Sequence, residues 1–298
     1  MTDEGIVIRG HGKSFIVKCQ GKKIPCEIRG KIKYQTDSVT PVAVGDDVSI
    51  SVNPDGTGMI ETVHKRRTMF LRPLKGSDSK KQVIAANIDQ MAIIASVKSP
   101  PLKTGLIDRF LISARIGSLR PLVIINKIDL GKPPILDEIE KGYTGINIPA
   151  FQISAVNGEG IENLKERLRE HRTIFVGHSG VGKTTILNNI IPGLDQKVKE
   201  ISKYSDRGTH ATTLVQLFEL PTGGFVVDSP GLKVLGLWEV KKEQLDQYFP
   251  EMIPLIDNCR FHGCSHTHEP DCAVKEAVEN KIIPEFRYKS YKTIYKSL

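Results

Sequence analysis

The sequence contains no long hydrophobic run and few aromatic residues. Its longest uninterrupted apolar segments, Met91–Ala95 and Leu122–Ile125, are far shorter than the ~18 residues that a membrane-spanning helix needs. The chain opens with the acidic pair Asp3-Glu4 and places no basic segment ahead of an apolar one, which argues against a secretory signal. We therefore expect a soluble, cytoplasmic protein that makes no contact with a membrane.

Neither the composition nor the charge is extreme. The 298 residues are 39% hydrophobic and 26% charged, which is ordinary for globular domains and excludes wholesale disorder and coiled coils. At ~150 residues per domain, the length allows two domains, or three if one is small. The formal net charge of +8, from 42 Lys and Arg against 34 Asp and Glu, indicates an attraction to polyanions but says nothing about the fold.

Cysteine is scarce and unevenly placed. Only five are present, and Cys259, Cys264 and Cys272 fall within fourteen residues. An odd number of cysteines in a chain without a secretory signal argues against a disulfide framework and favours a metal site. Cys19 and Cys26 stand apart, and we expect them to be plain core residues of the N-terminal domain.

Histidines lie among the three clustered cysteines. His262, His266 and His268 are each candidates to join the thiolates as a fourth ligand. Three sulfurs and one imidazole complete a tetrahedral zinc site. Because four protein ligands leave no open position, the sequence predicts one structural zinc that compensates for a small core.

The first 65 residues consist of short apolar segments separated by turns. Val48–Val52 alternates strictly between apolar and polar residues, as a half-buried strand does. Similar short segments are Gly5–Arg9, Ser14–Cys19 and Ile24–Ile28. The pattern predicts a small five-stranded barrel, either an OB-fold, which commonly binds nucleic acid, or an SH3-like barrel.

The pattern changes along the rest of the chain. A basic, irregular stretch at residues 64–81 is interpreted as a linker or loop. From residue 83 onward, short apolar runs alternate with helical patterns such as Leu106–Ile116, which predicts a parallel sheet with helices on both faces. We therefore predict three domains: a barrel at 1–65, an α/β domain at 66–232, and a mostly α, zinc-binding domain at 233–298.

One segment matches a phosphate-binding loop without deviation. Gly177–Thr184 fits the pattern G-x-x-x-x-G-K-[ST] and stands between an apolar strand and a helix. In such a loop, backbone N–H groups and a helix N-terminus surround phosphates. Lys183 is expected to reach the β- and γ-phosphates during catalysis, and Thr184 to bind Mg²⁺. The nucleotide contacts expected from this loop and the start of the helix are Gly177, His178, Ser179, Gly180, Val181, Gly182, Lys183, Thr184 and Thr185.

A second motif predicts that the bound base is guanine. The segment Asn126–Asp129, with the sequence N-K-I-D, directly follows the apolar run Leu122–Ile125. The carboxylate of Asp129 can accept two parallel hydrogen bonds from guanine, whereas adenine offers no such pair of donors. The stem of Lys127 can lie over the base, and Asn126 can brace the loop. The expected ligands are GTP and GDP.

The remaining parts of a guanine-nucleotide site are also present. Ser154-Ala155 ends a predicted strand, and its backbone N–H groups are expected to meet the guanine O6. Asp228 and Gly231, in a D-S-P-G segment after another strand, are expected to hold Mg²⁺ through water and to contact the γ-phosphate. Thr212, in the segment G-T-H-A-T-T at 208–213, is expected to bind Mg²⁺ when the γ-phosphate is present.

The order of these motifs along the chain is unusual. In the common GTPase arrangement the phosphate-binding loop comes first, but here it follows both guanine motifs, so the parts are complete and circularly permuted. Such domains tolerate permutation because their termini often lie close together. With a barrel before these motifs and a Cys/His cluster after them, the whole chain resembles the circularly permuted ribosome small-subunit-dependent GTPase A family (RsgA, also called YjeQ or YloQ).

The resemblance implies a function and assigns roles to single residues. It implies an OB-fold, a permuted GTPase domain and a C-terminal zinc domain that act in late maturation of the small (30S) ribosomal subunit, with the subunit and its rRNA as partners. The family pattern C-x4-C-x-H-x5-C selects His266 as the fourth zinc ligand. It also matches His210 to the family's catalytic histidine, two residues before Thr212. Many GTPases instead use a Gln after D-x-x-G to orient water, where this chain has Leu232.

Basic and aromatic residues offer surfaces for RNA. Tyr288, Tyr291 and Tyr295 have a spacing that places them on one face of a C-terminal helix. Their rings either pack on the zinc domain or stack on RNA bases. Both interpretations can apply if different faces of the helix make the two kinds of contact. The basic residues expected to meet phosphates are Lys22, Lys23, Arg29, Lys31, Lys33 and Lys65–Arg67.

These patterns favour one function and leave two alternatives. We predict a monomeric GTPase that binds the small ribosomal subunit and rRNA, hydrolyses GTP to GDP and phosphate, and is stimulated by the subunit. The first alternative is a GTP-regulated translation or signalling factor whose effector is a protein. The second is an RNA-binding assembly factor that uses GTP mainly as a switch without efficient hydrolysis, which Leu232 would suit.

Overall fold

In a computed structural model of the chain, residues 2–28, 40–73, 81–194, 215–228 and 240–298 are described. Their strands form one eleven-stranded sheet and a separate two-stranded hairpin. The large sheet runs from the α/β region into the N-terminal region without a break in its pairing. Within these ranges, no helix is long and apolar enough to cross a membrane.

The N-terminal region is a closed barrel of five strands. The strands are β1 (Asp3–His11), β2 (Ser14–Cys19), β3 (Lys22–Ile28), β4 (Asp47–Val52) and β5 (Gly58–Val63). They pair in the order β1-β2-β3-β5-β4, and β4 pairs again with β1, which closes the barrel. Val17, Ile50 and Ile60 are fully buried in its interior, and Cys19 and Cys26 are buried among them. The predicted five-stranded, OB-like barrel is confirmed.

The linker predicted at residues 64–81 contains a strand. Residues Met69–Pro73 form β6, which pairs with β7 (Lys81–Ala86) as an antiparallel hairpin. Phe70 is 1% exposed and packs in the core of the α/β domain. The prediction was wrong for residues 69–73, because burial of this aromatic side chain stabilises a strand whose basic neighbours suggested a loop. Residues 74–80 lie outside the described part.

Six strands build the sheet of the α/β domain. In spatial order they are β10 (Ala150–Gln152), β9 (Arg120–Asn126), β8 (Gln90–Ser96), β11 (Arg172–Val176), β13 (Phe225–Asp228) and β12 (Gln216–Glu219). The first five run parallel, and β12 pairs antiparallel with β13. The central strand β11 therefore comes from a later part of the chain than its neighbour β8.

In the described part of this domain, four α-helices cover the two faces of the sheet. They are α1 (Thr104–Ile116), α2 (Ile135–Thr144), α3 (Ile161–Leu168) and α4 (Lys183–Ile190). The helices α1 and α2 bury Phe110 and Tyr143 against one face. The helices α3 and α4 bury Leu164 and Ile186 against the other. The predicted α/β layers with helices on both faces are confirmed.

The C-terminal region is helical, as predicted. It contains 3₁₀ helices at Lys242–Tyr248 and Ile253–Asn258, followed by α5 (Ala273–Glu279) and α6 (Glu285–Ser297). Its core includes Leu245, Phe249 and Met252 and extends to Ile112 of α1. The domain boundary predicted at residues 232–233 lies outside the described residues.

Arg287 of α6 joins this region to the α/β domain. Its side chain is 2% exposed and pairs with Asp108 of α1 and with Glu251, whose Oε1 lies 2.6 Å from Arg287 Nε. The guanidinium lies 4.6 Å from the centre of the Phe249 ring, and the Tyr143 hydroxyl donates to Asp108 Oδ1 at 2.9 Å. Burial raises the pKa of the Asp108 carboxyl, and the charge of Arg287 opposes that rise. One buried cation therefore connects α1, α2 and α6.

A second buried ion pair lies at the base of the barrel. Arg66 donates to both carboxylate oxygens of Asp46, at 2.7 and 2.8 Å, and neither side chain is more than 3% exposed. The expectation that Arg66 meets RNA phosphates is therefore wrong, because its charge is already neutralised inside the protein. Its neighbours Lys65 and Arg67 are exposed and stay candidates.

The barrel and the α/β sheet share strand β1. Arg9 of β1 is paired with Gln216 of β12, so β1 continues the sheet beyond its last α/β strand while it also closes the barrel. Arg172 of β11 adds an ion pair with Asp47 of β4 at 2.9 Å. The two regions are therefore joined through backbone and side chains.

Replacement of Arg287 by methionine tests the buried network. We expect Arg287→Met to lower the free energy of unfolding by about 3–5 kcal/mol, because two buried carboxylates lose their partner. Urea unfolding followed by circular dichroism measures this change. The matched control is Lys289→Met on the same helix, whose ion pair with Glu285 is exposed, and we expect it to have little effect. Equal unfolding curves for the two variants would contradict the role of Arg287.

Candidate nucleotide site and metal centre

The segment Gly177–Thr185 connects the central strand β11 to α4. Gly177 has φ 144°, and a Cβ there would lie 2.1 Å from the backbone oxygen of Ile94. Gly182 has φ 97°, and a Cβ there would lie 2.3 Å from Asn126 Nδ2. Both positions therefore require glycine, for conformation and for space. The loop backbone is held against two neighbouring strands, where a rigid cradle for phosphates is needed.

The charged residue of this loop points toward its backbone. Lys183 Nζ donates to the carbonyl oxygens of Gly177 and His178, at 2.8 and 3.0 Å. Phosphate oxygens offer the same ammonium stronger, charged acceptors. Thr184 and Thr185 follow in the first turn of α4 and are exposed, so their hydroxyl groups are open to a ligand.

Asn126 links the phosphate-binding loop to the loop after β10. Its Nδ2 donates to the backbone oxygen of Val181 at 2.9 Å, and its Oδ1 accepts from the backbone N–H of Ala155 at 3.0 Å. The side chain is almost fully buried, so both bonds are shielded from water. Since the Ala155 N–H is already used, a bond from it to the guanine O6 would have to be shared with Asn126.

Asp129 and Lys127 lie on the same side of the sheet. Ser154 Oγ donates to Asp129 Oδ1 at 2.6 Å, which fixes the orientation of an otherwise exposed carboxylate. Lys127 has a left-handed backbone, φ 67°, and its Nζ donates to the backbone oxygen of Ser99. An oriented acceptor beside a long cationic stem is the arrangement that recognition of guanine requires.

The contact of Lys127 shows a part of the site that the sequence analysis missed. Ser99 belongs to the loop between β8 and α1, and the next residue, Pro100, lies 3.6 Å from the position of a Cβ on Gly180. This loop therefore touches both the phosphate-binding loop and the base-binding side. The sequence signal that could have revealed this loop is its position directly after a parallel strand, at the edge where sheets of this kind bind ligands.

The remaining predicted nucleotide contacts are only partly described. The backbone of Asp228 lies at the end of β13, opposite Phe175 of β11, which brings it next to the phosphate-binding loop. Its side chain lies outside the described part of the chain, as do all atoms of His210, Thr212 and Gly231. Their roles stay predictions.

Four side chains of the C-terminal domain gather around one point. The ligand atoms of Cys259, Cys264, His266 and Cys272 all lie within 4.8 Å of one another. The Sγ atoms of Cys259 and Cys272 are 3.8 Å apart, which is the separation that Zn–S bonds of ~2.3 Å give in a tetrahedron. Burial raises the pKa of the Cys264 thiol. The donor set fits zinc and suggests a zinc site.

Of the three candidate histidines, only His266 belongs to this cluster. It is fully buried, and its Nδ1 lies 3.3 Å from Cys272 Sγ and 3.5 Å from Cys259 Sγ. His262 and His268 are exposed and lie outside the cluster. The geometry is that of a closed, four-ligand site.

The aromatic residues of α6 support this cluster. The hydroxyl of Tyr288 donates to the backbone oxygen of His266 at 2.8 Å, and that of Tyr291 donates to the backbone oxygen of Ser265 at 2.9 Å. Both rings are buried, so they pack on the metal-binding loop, as the first interpretation predicted. Lys289 on the same helix is exposed and forms an ion pair with Glu285 at 2.8 Å.

The motifs converge at one edge of the parallel sheet. They follow β9 (Asn126–Asp129), β10 (Ser154) and β11 (Gly177–Thr185), and Asp228 ends β13. Motifs that are distant in the chain therefore meet at the carboxyl ends of adjacent strands, where such folds bind ligands. The fold and the motifs together define a P-loop GTPase with a circularly permuted chain order.

Comparisons with known proteins place the chain in one family. The model described as RsgA GTPase matches residues 63–238, and the model described as RsgA N-terminal domain matches residues 4–60. The chain belongs to the RsgA GTPase family, which implies a guanine nucleotide and Mg²⁺ as ligands. The resemblance found in the sequence is confirmed, together with the GTPase class.

Relatives and solved structures match along nearly the whole chain. A protein of Bacteroides fragilis (strain YCH46) named Small ribosomal subunit biogenesis GTPase RsgA is 38% identical over 293 residues, 97% of this chain and 94% of the relative. The crystal structure of YjeQ from Thermotoga maritima matches with a TM-score of 0.79 at 36% identity, over 100% and 99% of the two chains. The structure of YloQ, described as a circularly permuted GTPase, matches with a TM-score of 0.75 at 26% identity, over 100% and 95%.

Replacement of Asp129 by asparagine tests the base-binding geometry. We expect Asp129→Asn to weaken GTP binding by roughly 10- to 100-fold, because hydrogen bonds to a charged group contribute ~1.5–3 kcal/mol. Xanthosine triphosphate should bind the variant better than the wild type, since xanthine presents a carbonyl oxygen to the introduced amide. Fluorescence titration with labelled nucleotides measures both affinities. Glu138→Gln, an exposed acid of α2, should change neither, and unchanged GTP affinity in Asp129→Asn would refute the assignment.

Replacement of Cys264 by serine tests the metal centre. We expect the wild-type protein to carry about one zinc per chain and Cys264→Ser to lose it, with a lower midpoint of thermal unfolding. Zinc released into a chromogenic chelator measures the metal content. Cys19→Ser changes a buried thiol of the barrel and should keep the zinc. Retention of zinc by Cys264→Ser would contradict the four-ligand site.

Proposed function

We propose that this protein is a GTPase of small ribosomal subunit biogenesis, which binds the 30S subunit and its rRNA and hydrolyses GTP to GDP and phosphate during late maturation. The observation that carries the proposal is the complete set of guanine-nucleotide motifs, in permuted order, between an OB-like barrel and a Cys₃His cluster. Relatives that match 97% of the chain bear the name Small ribosomal subunit biogenesis GTPase RsgA. Such a role implies a cytoplasmic protein, and we propose that it acts as a monomer.

Each of the three regions has a separate role in this proposal. The barrel at residues 1–65 binds rRNA, the domain at 66–232 binds and hydrolyses GTP, and the domain at 233–298 holds one structural zinc through Cys259, Cys264, His266 and Cys272. The residues that would hold Mg²⁺ are Thr184, Thr212 and Asp228. A bound Mg²⁺ would neutralise charge on the β- and γ-phosphates.

The reaction needs a group that orients the attacking water. The position after D-S-P-G is Leu232, whose apolar side chain cannot form a hydrogen bond with water. We assign this role to His210, and the stabilisation of the transferred phosphoryl group to Lys183, because positioning and charge stabilisation account for most of the catalysis of phosphoryl transfer.

The surface charge supports binding to a polyanion. The chain carries a formal net charge of +8, and Lys22, Lys23, Lys65 and Arg67 are exposed on or beside the barrel. Such residues give affinity and salt dependence, without a choice of RNA sequence. Binding to the subunit should therefore weaken as salt is raised.

The decisive experiment measures GTP hydrolysis with and without purified small ribosomal subunits, with large subunits as the control. We expect stimulation by the small subunit alone, and its loss in His210→Ala while GTP binding is kept. Stimulation by neither subunit, together with no binding to the small subunit, would overturn the ribosomal assignment. Unchanged stimulation in His210→Ala would remove this residue from the catalytic step.

One alternative follows from Leu232. If hydrolysis stays slow even on the bound subunit, GTP serves mainly as a switch that places an RNA-binding assembly factor. A comparison of single-turnover rates for the free and the subunit-bound protein separates the two functions. A bound rate no faster than the free rate would favour the switch.

A further inference from the structure

The imidazole of His266 has a partner on each of its two nitrogens. Its Nδ1 faces the thiols of Cys272 and Cys259, at 3.3 and 3.5 Å. Its Nε2 lies 3.4 Å from Oδ2 of Asp246. Both His266 and Asp246 are buried, so the contact between them is shielded from water.

The geometry determines which nitrogen is available to a metal. A neutral imidazole carries one proton, on the nitrogen that does not bind the metal. Here Nδ1 points into the thiol cluster, and a carboxylate oxygen is placed to accept a hydrogen bond from the N–H at Nε2. A carboxylate in this position fixes the tautomer and the orientation of a metal-binding histidine and raises its basicity.

The carboxylate of Asp246 is itself fixed. It belongs to the 3₁₀ helix Lys242–Tyr248, and its second oxygen, Oδ1, accepts the backbone N–H of Gln247 at 2.8 Å. The other side of the histidine is held by its own backbone, which has φ 56° and whose oxygen accepts from the Tyr288 hydroxyl. The ring therefore has little freedom to turn away from the cluster.

A second acidic residue near the cluster, Glu269, has a different role. Glu269 accepts hydrogen bonds from the backbone N–H groups of Ser265, Thr267 and His268, at 2.8, 3.1 and 3.2 Å. Burial raises the pKa of the Glu269 carboxyl, but hydrogen bonds from Ser265, His268 and its own backbone outweigh burial and hold that pKa below its usual range. Glu269 thus shapes the loop backbone, whereas Asp246 contacts the imidazole. The two acids act on different atoms of the same site.

We propose that Asp246 is a positioning residue for the zinc ligand His266, and that its carboxylate increases the affinity of the Cys₃His site for zinc. The inference rests on the zinc site proposed above and does not depend on the ribosomal role. The contact between Asp246 and His266 also joins the 3₁₀ helix Lys242–Tyr248 to the loop of His266. The two are separated along the chain by the second 3₁₀ helix, Ile253–Asn258.

The first test compares zinc affinities by competition with a chromogenic chelator. We expect Asp246→Ala to weaken zinc binding by roughly 10- to 100-fold, as loss of such a partner does at other histidine sites. Asp246→Asn keeps the shape and an acceptor oxygen and should show a smaller loss. Asp257→Asn, an exposed acid of the neighbouring 3₁₀ helix, should bind zinc as the wild type does. Wild-type affinity in Asp246→Ala overturns the proposal.

The second test separates positioning from a general effect on the fold. His266→Gly removes the imidazole, tolerates the left-handed backbone without strain and leaves three thiols for the metal. If Asp246 acts through the imidazole, Asp246→Ala will not weaken zinc binding further in this background, so the two changes will be non-additive. The absorption spectrum of bound Co²⁺ should shift in Asp246→Ala but not in Asp257→Asn. Additive losses overturn the proposal. Absence of ribosomal stimulation in the wild-type protein would overturn only the proposed function, since the zinc measurements do not depend on it.

Discussion

The position of the whole C-terminal domain depends on one guanidinium that has been removed from water. A buried charge of this kind is tolerated only when its partners are complete, and Arg287 has two carboxylates and two aromatic rings around it. The same helix, α6, also carries the tyrosines that support the loop of His266. Helix α1, which carries Asp108, begins at Thr104, soon after the loop that touches Gly180. The network thus joins the Cys₃His cluster and the phosphate-binding loop to one framework.

The barrel is tied to that framework in a different way. It shares a strand with the α/β sheet, and the ion pair of Arg66 with Asp46 is buried beside the junction. A flexible linker would allow an RNA-binding domain to move independently of the nucleotide site. Here, the backbone pairing of β1 with β12 makes the barrel an extension of the sheet that holds the nucleotide.

Local sequence patterns predicted the individual elements of this molecule better than they predicted which distant residues contact each other. The alternation in Val48–Val52, the glycines of the phosphate-binding loop and the spacing of the cysteines each report a constraint within one short segment. The strand around Phe70 was missed because its basic neighbours obscured a short apolar pattern. The burial of Arg66 was missed because its partner, Asp46, lies twenty residues away. Periodicity shows which face of an element is buried, but it does not identify the residue that faces it.

The permuted chain order has a consequence for synthesis of the protein on the ribosome. The loops with the predicted guanine motifs, Asn126–Asp129 and Ser154-Ala155, emerge first. The central strand β11, followed by the predicted phosphate-binding loop, emerges after β8, β9 and β10. Until β11 is available, β8 has an unpaired edge where its neighbour belongs, and such edges invite association with other chains. Nucleotide cannot assist folding of the early chain, because the half of the pocket that binds phosphates does not yet exist. The strands of the barrel, by contrast, are all synthesised before any strand of the parallel sheet appears.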